Sequence, residues 1–322
     1  MHYRLVVESS KRVSGTPYDF AFKIDTFPLN YFNSKPVHFA VEWATPLYAT
    51  EAFSYNFTSE AIPYAVLLDC PSIKQANSCT SWDRGYSSVI AMLPGNKDQH
   101  GIYGVTNDSS HLESSVLGFV ARPGDVLRDN GVLHFRILKT DGETTSGVKP
   151  WTPVQMLDYT FSLVFWSVEV PRSLSYDHFI VWLATSDRSS GISADCHIPL
   201  GMPTLSMDEG VWNAAVSYIS PIHYTWIDGP SSLILESESL GSPSSNTRAI
   251  AHLAPEADGD VFYGRRLSVK PSVHRDTLGL AVPTSIDRLH EFHLKLVDGL
   301  DRSDVVESVK DYTVCLTFYR LS

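Results

Sequence analysis

Apolar and polar residues alternate with a period of two through most recognisable segments of this chain. "YRLVV" sets Tyr3, Leu5 and Val7 on one face, and "DFAFKID" does the same with Phe20, Phe22 and Ile24. "VHFAVEW" reads with Phe39, Val41 and Trp43 on one side, and "DYTFSLVFW" with Tyr159, Phe161, Leu163 and Phe165 facing inward. Successive side chains of a strand point to opposite faces, so this alternation, interrupted by Gly, Pro, Ser and Asp, predicts half-buried strands. No window carries an i, i+3, i+4, i+7 stripe longer than about three turns. The 19 Gly and 19 Pro cut the chain into many short pieces. The expected fold class is all-β.

The pattern is written twice. "YRLVVESSKRVSG" (3–15) aligns with "FIVWLATSDRSSG" (179–191), and "HFAVEWATPL" (38–47) with "NAAVSYISPI" (213–222). "VIAMLPG" (89–95) aligns with "AIAHLAP" (249–255), and "FRILKTDG" (135–142) with "FHLKLVDG" (292–299). "DYTFSLVFW" (158–166) meets "DYTVCLTFY" (311–319). The order is kept and the offset shrinks from 176 to 153, as expected of one domain duplicated, with shorter loops in the second copy. The period is far too long for a solenoid. The predicted domains are 1–169 and its internal duplicate 170–322. The short link "VEVPRSLSYD" should hold them side by side. An immunoglobulin-like sandwich needs only about 100 residues, and its Cys…Trp…Cys framework is missing. Two tandem antiparallel jelly-roll β-sandwiches fit each copy better, with the immunoglobulin-like sandwich as the alternative.

"VVESSKRVSGTPYDFAFKID" resembles the opening of minor capsid and penton-type jelly-roll proteins of large eukaryotic double-stranded DNA viruses and virophages. The closing portion, "VLHFRILKTDG…DYTFSLVFW", resembles their end. The resemblance covers both ends of the first copy. The second copy departs from it: Thr16-Pro17 becomes Ile192-Ser193, and Phe20 becomes Cys196. It implies a structural capsid component of the virion, assembled in the host cytoplasm. Such a protein acts through contacts with other capsid proteins and with copies of itself, as a trimer or pentamer, without catalysis. The residues themselves say less. Ser14-Gly15-Thr16-Pro17 is a turn signal, with Gly free to take positive φ and Pro fixing its own. Asp19 is placed to cap that turn. Arg12 is expected to hold a carboxylate or backbone carbonyl and tie the first strand to the second; an ordinary exposed Arg is the alternative.

Charged residues make up 19% of the chain, below the roughly 25% usual for soluble domains. With 11% aromatics, this points to surface covered by neighbouring subunits. The net charge of −11, with no basic arm, argues against direct nucleic-acid binding. No run approaches the roughly 18 apolar residues of a membrane span, and "MHYRLVVESS" is too short and polar for a secretory signal. Cys70, Cys79, Cys196 and Cys315 are sparse, without C-x-x-C. Cys70 and Cys79 are close enough in sequence to pair, but free buried thiols are the expected state. A Cys196–Cys315 bridge is not expected, because Cys196 shares the inward face of Ile198 and Leu200, whereas Val314 and Leu316 hold that face around Cys315.

No catalytic, cofactor-binding or metal residues are predicted, and no cofactor. G-x-S-x-G, H-E-x-x-H and P-loop motifs are missing. His290 and His293 in "RLHEFHLKL" lack the His-x-His spacing of metal-binding β-sandwiches and should be strand histidines facing solvent. Asp69, Asp83 and Glu236 are carboxylates without distinguishing context. Trp82 and Tyr86 in "TSWDRGYSS" suit either sugar stacking or packing under the loop or a neighbour. "DGLDRSDVVE" lacks calcium-loop spacing and reads as a hairpin. Asn56 and Asn107 match N-x-[ST]. The second functional reading is a carbohydrate-binding or glycan-hydrolysing β-sandwich; a third, a trimer of the tumour-necrosis-factor-like class, requires secretion.

Overall fold

The computed structural model describes residues 2–24, 37–50, 63, 65–83, 85–94, 102–103, 116–117, 119–121, 131–140, 148–153, 155–167, 178–200, 211–220, 222–224, 229–240, 248–255, 262–263, 273–274, 282–285, 290–305 and 309–319. Asn56, Asn107 and the link 168–177 lie outside them. The fold is all-β, in several antiparallel sheets. The strands of the first half are β1 (His2–Glu8), β2 (Ser14–Thr16), β3 (Asp19–Lys23), β4 (Val37–Ala44), β5 (Leu47–Thr50), β6 (Ala65–Asp69), β7 (Ser78–Thr80) and β8 (Val89–Pro94). They continue with β9 (Ile102–Tyr103), β10 (Val116–Leu117), β11 (Phe119–Ala121), β12 (Val132–Lys139), β13 (Lys149–Pro150), β14 (Gln155–Met156) and β15 (Thr160–Ser167). Those of the second half are β16 (His178–Ala184), β17 (Ser190–Ile192), β18 (Asp195–Pro199), β19 (Val211–Ile219), β20 (Ile222–His223) and β21 (Leu233–Glu236). They continue with β22 (Ala249–Leu253), β23 (Phe262–Tyr263), β24 (Val273–His274), β25 (Val282–Ser285), β26 (Glu291–Asp298) and β27 (Thr313–Tyr319).

Both halves pair their strands in the same order. β1-β15-β4-β11 matches β16-β27-β19-β25, and β2-β3-β12-β6-β8 matches β17-β18-β26-β21-β22. The match holds residue by residue. Tyr3 opposes Phe165 as Phe179 opposes Phe318, and Phe39 opposes Phe165 as Ala214 opposes Phe318. Irregularities coincide too. The register between β15 and β4 shifts past Glu42, and that between β27 and β19 shifts at the equivalent Ser217. The β6–β8 register shifts past Ile90, and β21–β22 past Ile250. A β-bulge is a specified feature of a sheet rather than noise, so finding the same two bulges in each half marks a common architecture.

In each half the two main sheets stack face to face. In the first, Phe161, Leu163, Phe165 and Val7 meet Phe20, Phe135 and Ile137, and the Phe135 and Phe161 rings meet edge-on at 5.0 Å. In the second, Val181, Leu316 and Phe318 meet Cys196, Leu294 and Phe292. Apolar burial between sheets is the main stabilising term here, at about 25 cal/mol per Å².

Two sequence readings are corrected. Trp43 does not share the face of Phe39 and Val41. The bulge at Glu42 turns the chain over, so Trp43 lies opposite Ser162 on the outer face while Ala44 enters the core. The match of "FRILKTDG" to "FHLKLVDG" is two residues out of step. Arg136 sits between Asp19 and Asp69 as Lys295 sits between Asp195 and Glu236, so His134 corresponds to His293. A slip of two residues keeps every side chain on its own face, so hydrophobic alternation is blind to it.

Candidate functional site

The repeated Arg-x-Ser-Gly motif builds the same hook in both halves. A single turn of 3₁₀ helix, Ser9–Lys11 or Thr185–Asp187, follows the first strand, and the chain then reverses at a glycine with positive φ, Gly15 (+94°) or Gly191 (+86°). A Cβ at either glycine would stand 2.1 Å from the carbonyl oxygen of Asp19 or Asp195. Arg12 donates to the Ser9 and Gly15 carbonyls and, at 2.6 Å, to Asp158; Arg188 donates to the Thr185 carbonyl and, at 2.5 Å, to Asp311. Arg12 therefore holds both a carboxylate and carbonyls, but it ties the turn to the approach of the last strand, β15, rather than β1 to β3. Where the motif departs from itself, the change is absorbed. Ser193, in the place of Pro17, donates to Asp311 at 2.6 Å, giving that carboxylate three donors with Thr185 and Arg188.

A second constellation joins the halves. β7 adds to β16 in parallel, as an extra strand on the second half's sheet. The Ile180 N–H donates to the Asn77 carbonyl at 2.8 Å, and the Ser81 N–H to the Trp182 carbonyl at 2.9 Å. The Asn77 side chain accepts from the Val120 N–H and lies 2.9 Å from His178 Nε2. Ser81 Oγ donates to Asp187 at 2.7 Å and accepts from the Ala184 N–H. The two cores trade residues across this seam. Cys79 packs in the second core, while Ile180, Trp182, Tyr218 and Cys315 pack with the first. Trp182 and Tyr218 stack at 6.0 Å with planes 5° apart. A second seam contact pairs β10 with β24. Part of the cover that the low charge fraction calls for is thus supplied by the sister half. Trp82 is half-buried against the first core and Tyr86 is half-buried beside Cys79, so this loop serves as packing at the seam.

Sequence reasoning did not single out Asn77, Ser81, His178 or Trp182. The signal available was β16 itself. "FIVWLA" is apolar without a break, with Ile180 where β1 has Arg4 and Trp182 where it has the smaller Val6, and a strand buried on both faces loses its alternation.

The carboxylates are spread apart. Asp69 is buried and bonds Arg136 at 2.5 Å; burial raises its pKa against the pull of that guanidinium. Glu236, its counterpart, pairs with Arg302. Asp83 is exposed. Asp69 and Glu236 hold equivalent stations in the sheets of different halves, each ion-paired to an arginine from a different place in its half. His290 is exposed, but His293 is not the solvent-facing histidine predicted. Its side chain is 13% exposed, bonded to Asp195 at 2.7 Å and stacked on His197 at 4.5 Å. Lys295 next to it bonds Asp304 at 2.7 Å, which raises its pKa. In "DGLDRSDVVE", Asp298 and Asp301 accept from the Leu300 and Ser303 N–H groups, forming the turn of a hairpin. Among the described residues, no group of three or more His, Cys, Asp or Glu is arranged to hold a metal. None of their helices is long and apolar enough to cross a membrane.

All four cysteines are buried free thiols. Burial pushes Cys79 and Cys196 up to about 12 and raises Cys70 and Cys315 as well, so they stay protonated and unreactive near neutrality.

No family model matches the sequence, and no curated protein matches it. Among solved structures, a mavirus penton protein is 12% identical over 99% of each chain, with a TM-score of 0.19. The mosquito-larvicidal Cry4Aa toxin from Bacillus thuringiensis is 9% identical over 94% of this chain and 58% of the toxin, also at 0.19. Scores this low carry no argument about fold or function.

Proposed function

We propose that the chain is a structural component of a viral capsid, built as two tandem jelly rolls, 1–169 and 170–322. It acts through contacts between subunits, with copies of itself as a trimer or pentamer and with other capsid proteins, and without catalysis. In this reading it resides in the virion after assembly in the host cytoplasm. One observation carries the reading: the same strand order, with the same two bulges, occurs in both halves. Leaving aside the short turn strands β2 and β17 and the added strands β13 and β7, each half sets four strands against four, with first and last strands neighbours, β1 beside β15 and β16 beside β27, as two Greek keys folded into facing sheets would. The motif that resembles viral jelly-roll proteins is spent on a structural hook. Asp69, Glu236, His293 and the Trp82–Tyr86 loop are engaged in pairing and packing. Two similar units in one chain present twice as many related faces to neighbours as a single unit does.

The test is to purify virions from infected cells and count this chain by quantitative mass spectrometry. The reading expects it there at a copy number divisible by the vertex or face count of the shell. Its presence only in the lysate, together with glycosidase turnover, overturns it.

A further inference from the structure

The two halves differ at one station where the repeat makes them comparable. β16 is buried along its whole length, because β7 occupies its outer edge and the first half covers its outer face. β1 holds the same place in its own sheet and pairs in the same register with its last strand. Among the described residues, nothing pairs with its other edge. In β16 the backbone groups of Ile180, Trp182 and Ala184 face β7. Their equivalents Arg4, Val6 and Glu8 therefore aim their N–H and C=O groups away from β15. The row Trp182–Cys315–Tyr218 becomes Val6–Ser162–Trp43. Val6 is 42% exposed where Trp182 is 0%, and Trp43 is half-buried.

An open edge strand is a template for another chain. We infer that the β1 edge, with the Val6–Ser162–Trp43 row beside it, docks a second copy of this chain by strand addition. The occupant is argued from the molecule itself: where the same station is covered, this chain's own backbone covers it. Inside one chain the first half straps the second. A neighbouring copy strapping the first half continues that succession head to tail, the kind of contact that closes into a ring. Arg4, ion-paired to Glu42 at 2.5 Å, with Ser162 donating to the same carboxylate, makes the row partly polar. This limits indiscriminate pairing. The inference rests on the assembly reading and names its interface.

The test uses the full chain. Sedimentation velocity across a concentration series compares the native protein with Val6→Pro and Val6→Lys. Hydrogen–deuterium exchange reads the Arg4, Val6 and Glu8 amides at high and low concentration. Proline at 6 removes an N–H that points away from β15, which an edge strand tolerates. Val6→Lys keeps the backbone and charges the row. Expected are self-association, slowed exchange at those amides in the associated form, and association weakened about tenfold or more in both variants. Self-association that neither variant weakens, with exchange at the three amides independent of concentration, overturns the proposal and leaves the assembly reading standing. A chain that stays monomeric throughout overturns both.

Discussion

Tyr3–Glu8 and Phe179–Ala184 occupy one position in two copies of the same sheet, yet the first alternates between buried and exposed and the second is buried throughout. Their registers against the last strand are identical, so backbone pairing does not depend on what lies outside the sheet. Composition does. Arg4 and Val6 become Ile180 and Trp182 where the sister half closes over the face. Each strand's inward residues record its own sandwich, and its outward residues record its neighbours.

The largest test of that contrast is truncation at the shared station. Trp182→Ala removes a fully buried indole from the seam and should cost about 3–5 kcal/mol. Val6→Ala should stay within about 0.5 kcal/mol. Urea denaturation of dilute protein measures both, and equal losses would break the contrast. Next come the turn glycines. Gly15→Ala and Gly191→Ala each force a Cβ into a positive-φ site against a carbonyl and should each cost about 2 kcal/mol or more. Melting temperatures that fall in one and not the other would show that the two hooks are not equivalent.

The hooks should differ in strength. Asp311 is 10% exposed with three side-chain donors, while Asp158 is 45% exposed with two. Arg188→Met should therefore cost about 2 kcal/mol, and Arg12→Met about 1 kcal/mol or less, since solvent screens the exposed pair. The smallest effect is alkaline. Cys196 stands where the first half has Phe20. Its folded pKa, pushed up to about 12 from 9.0 by burial, means the folded state keeps a proton that the unfolded chain releases. Stability is intact below about pH 9 and falls as pH rises towards 12, by about 1 kcal/mol between pH 9 and pH 10. Denaturation of Cys196→Ala at both pH values should show a smaller loss.

Much of this was legible in the chain. Four of five repeat segments align as the strands do, and the inward set Phe161, Leu163 and Phe165 follows from alternation alone. The misreadings have separate causes. Trp43 lies past a bulge that no local residue announces. The β12 and β26 match slipped by two, the one displacement that preserves faces. Alternation within β26 does not reveal that His293 is covered, because the covering groups, Asp195 and His197, come from another strand. The seam was out of reach for a topological reason: β7 is three residues of small polar type, pairing in parallel with a strand a hundred positions away, and only its partner's unbroken apolar run hinted at it.

The strap has a bearing on how this protein can be handled. Sequence symmetry invites a cut near residue 169, yet residues 77–81 are hydrogen-bonded to the later sheet and would be lost from it. An excised C-terminal fragment would bare the indole of Trp182 and a row of unmet amides together, a sticky rim prone to precipitation. The molecule is duplicated in plan yet indivisible in practice.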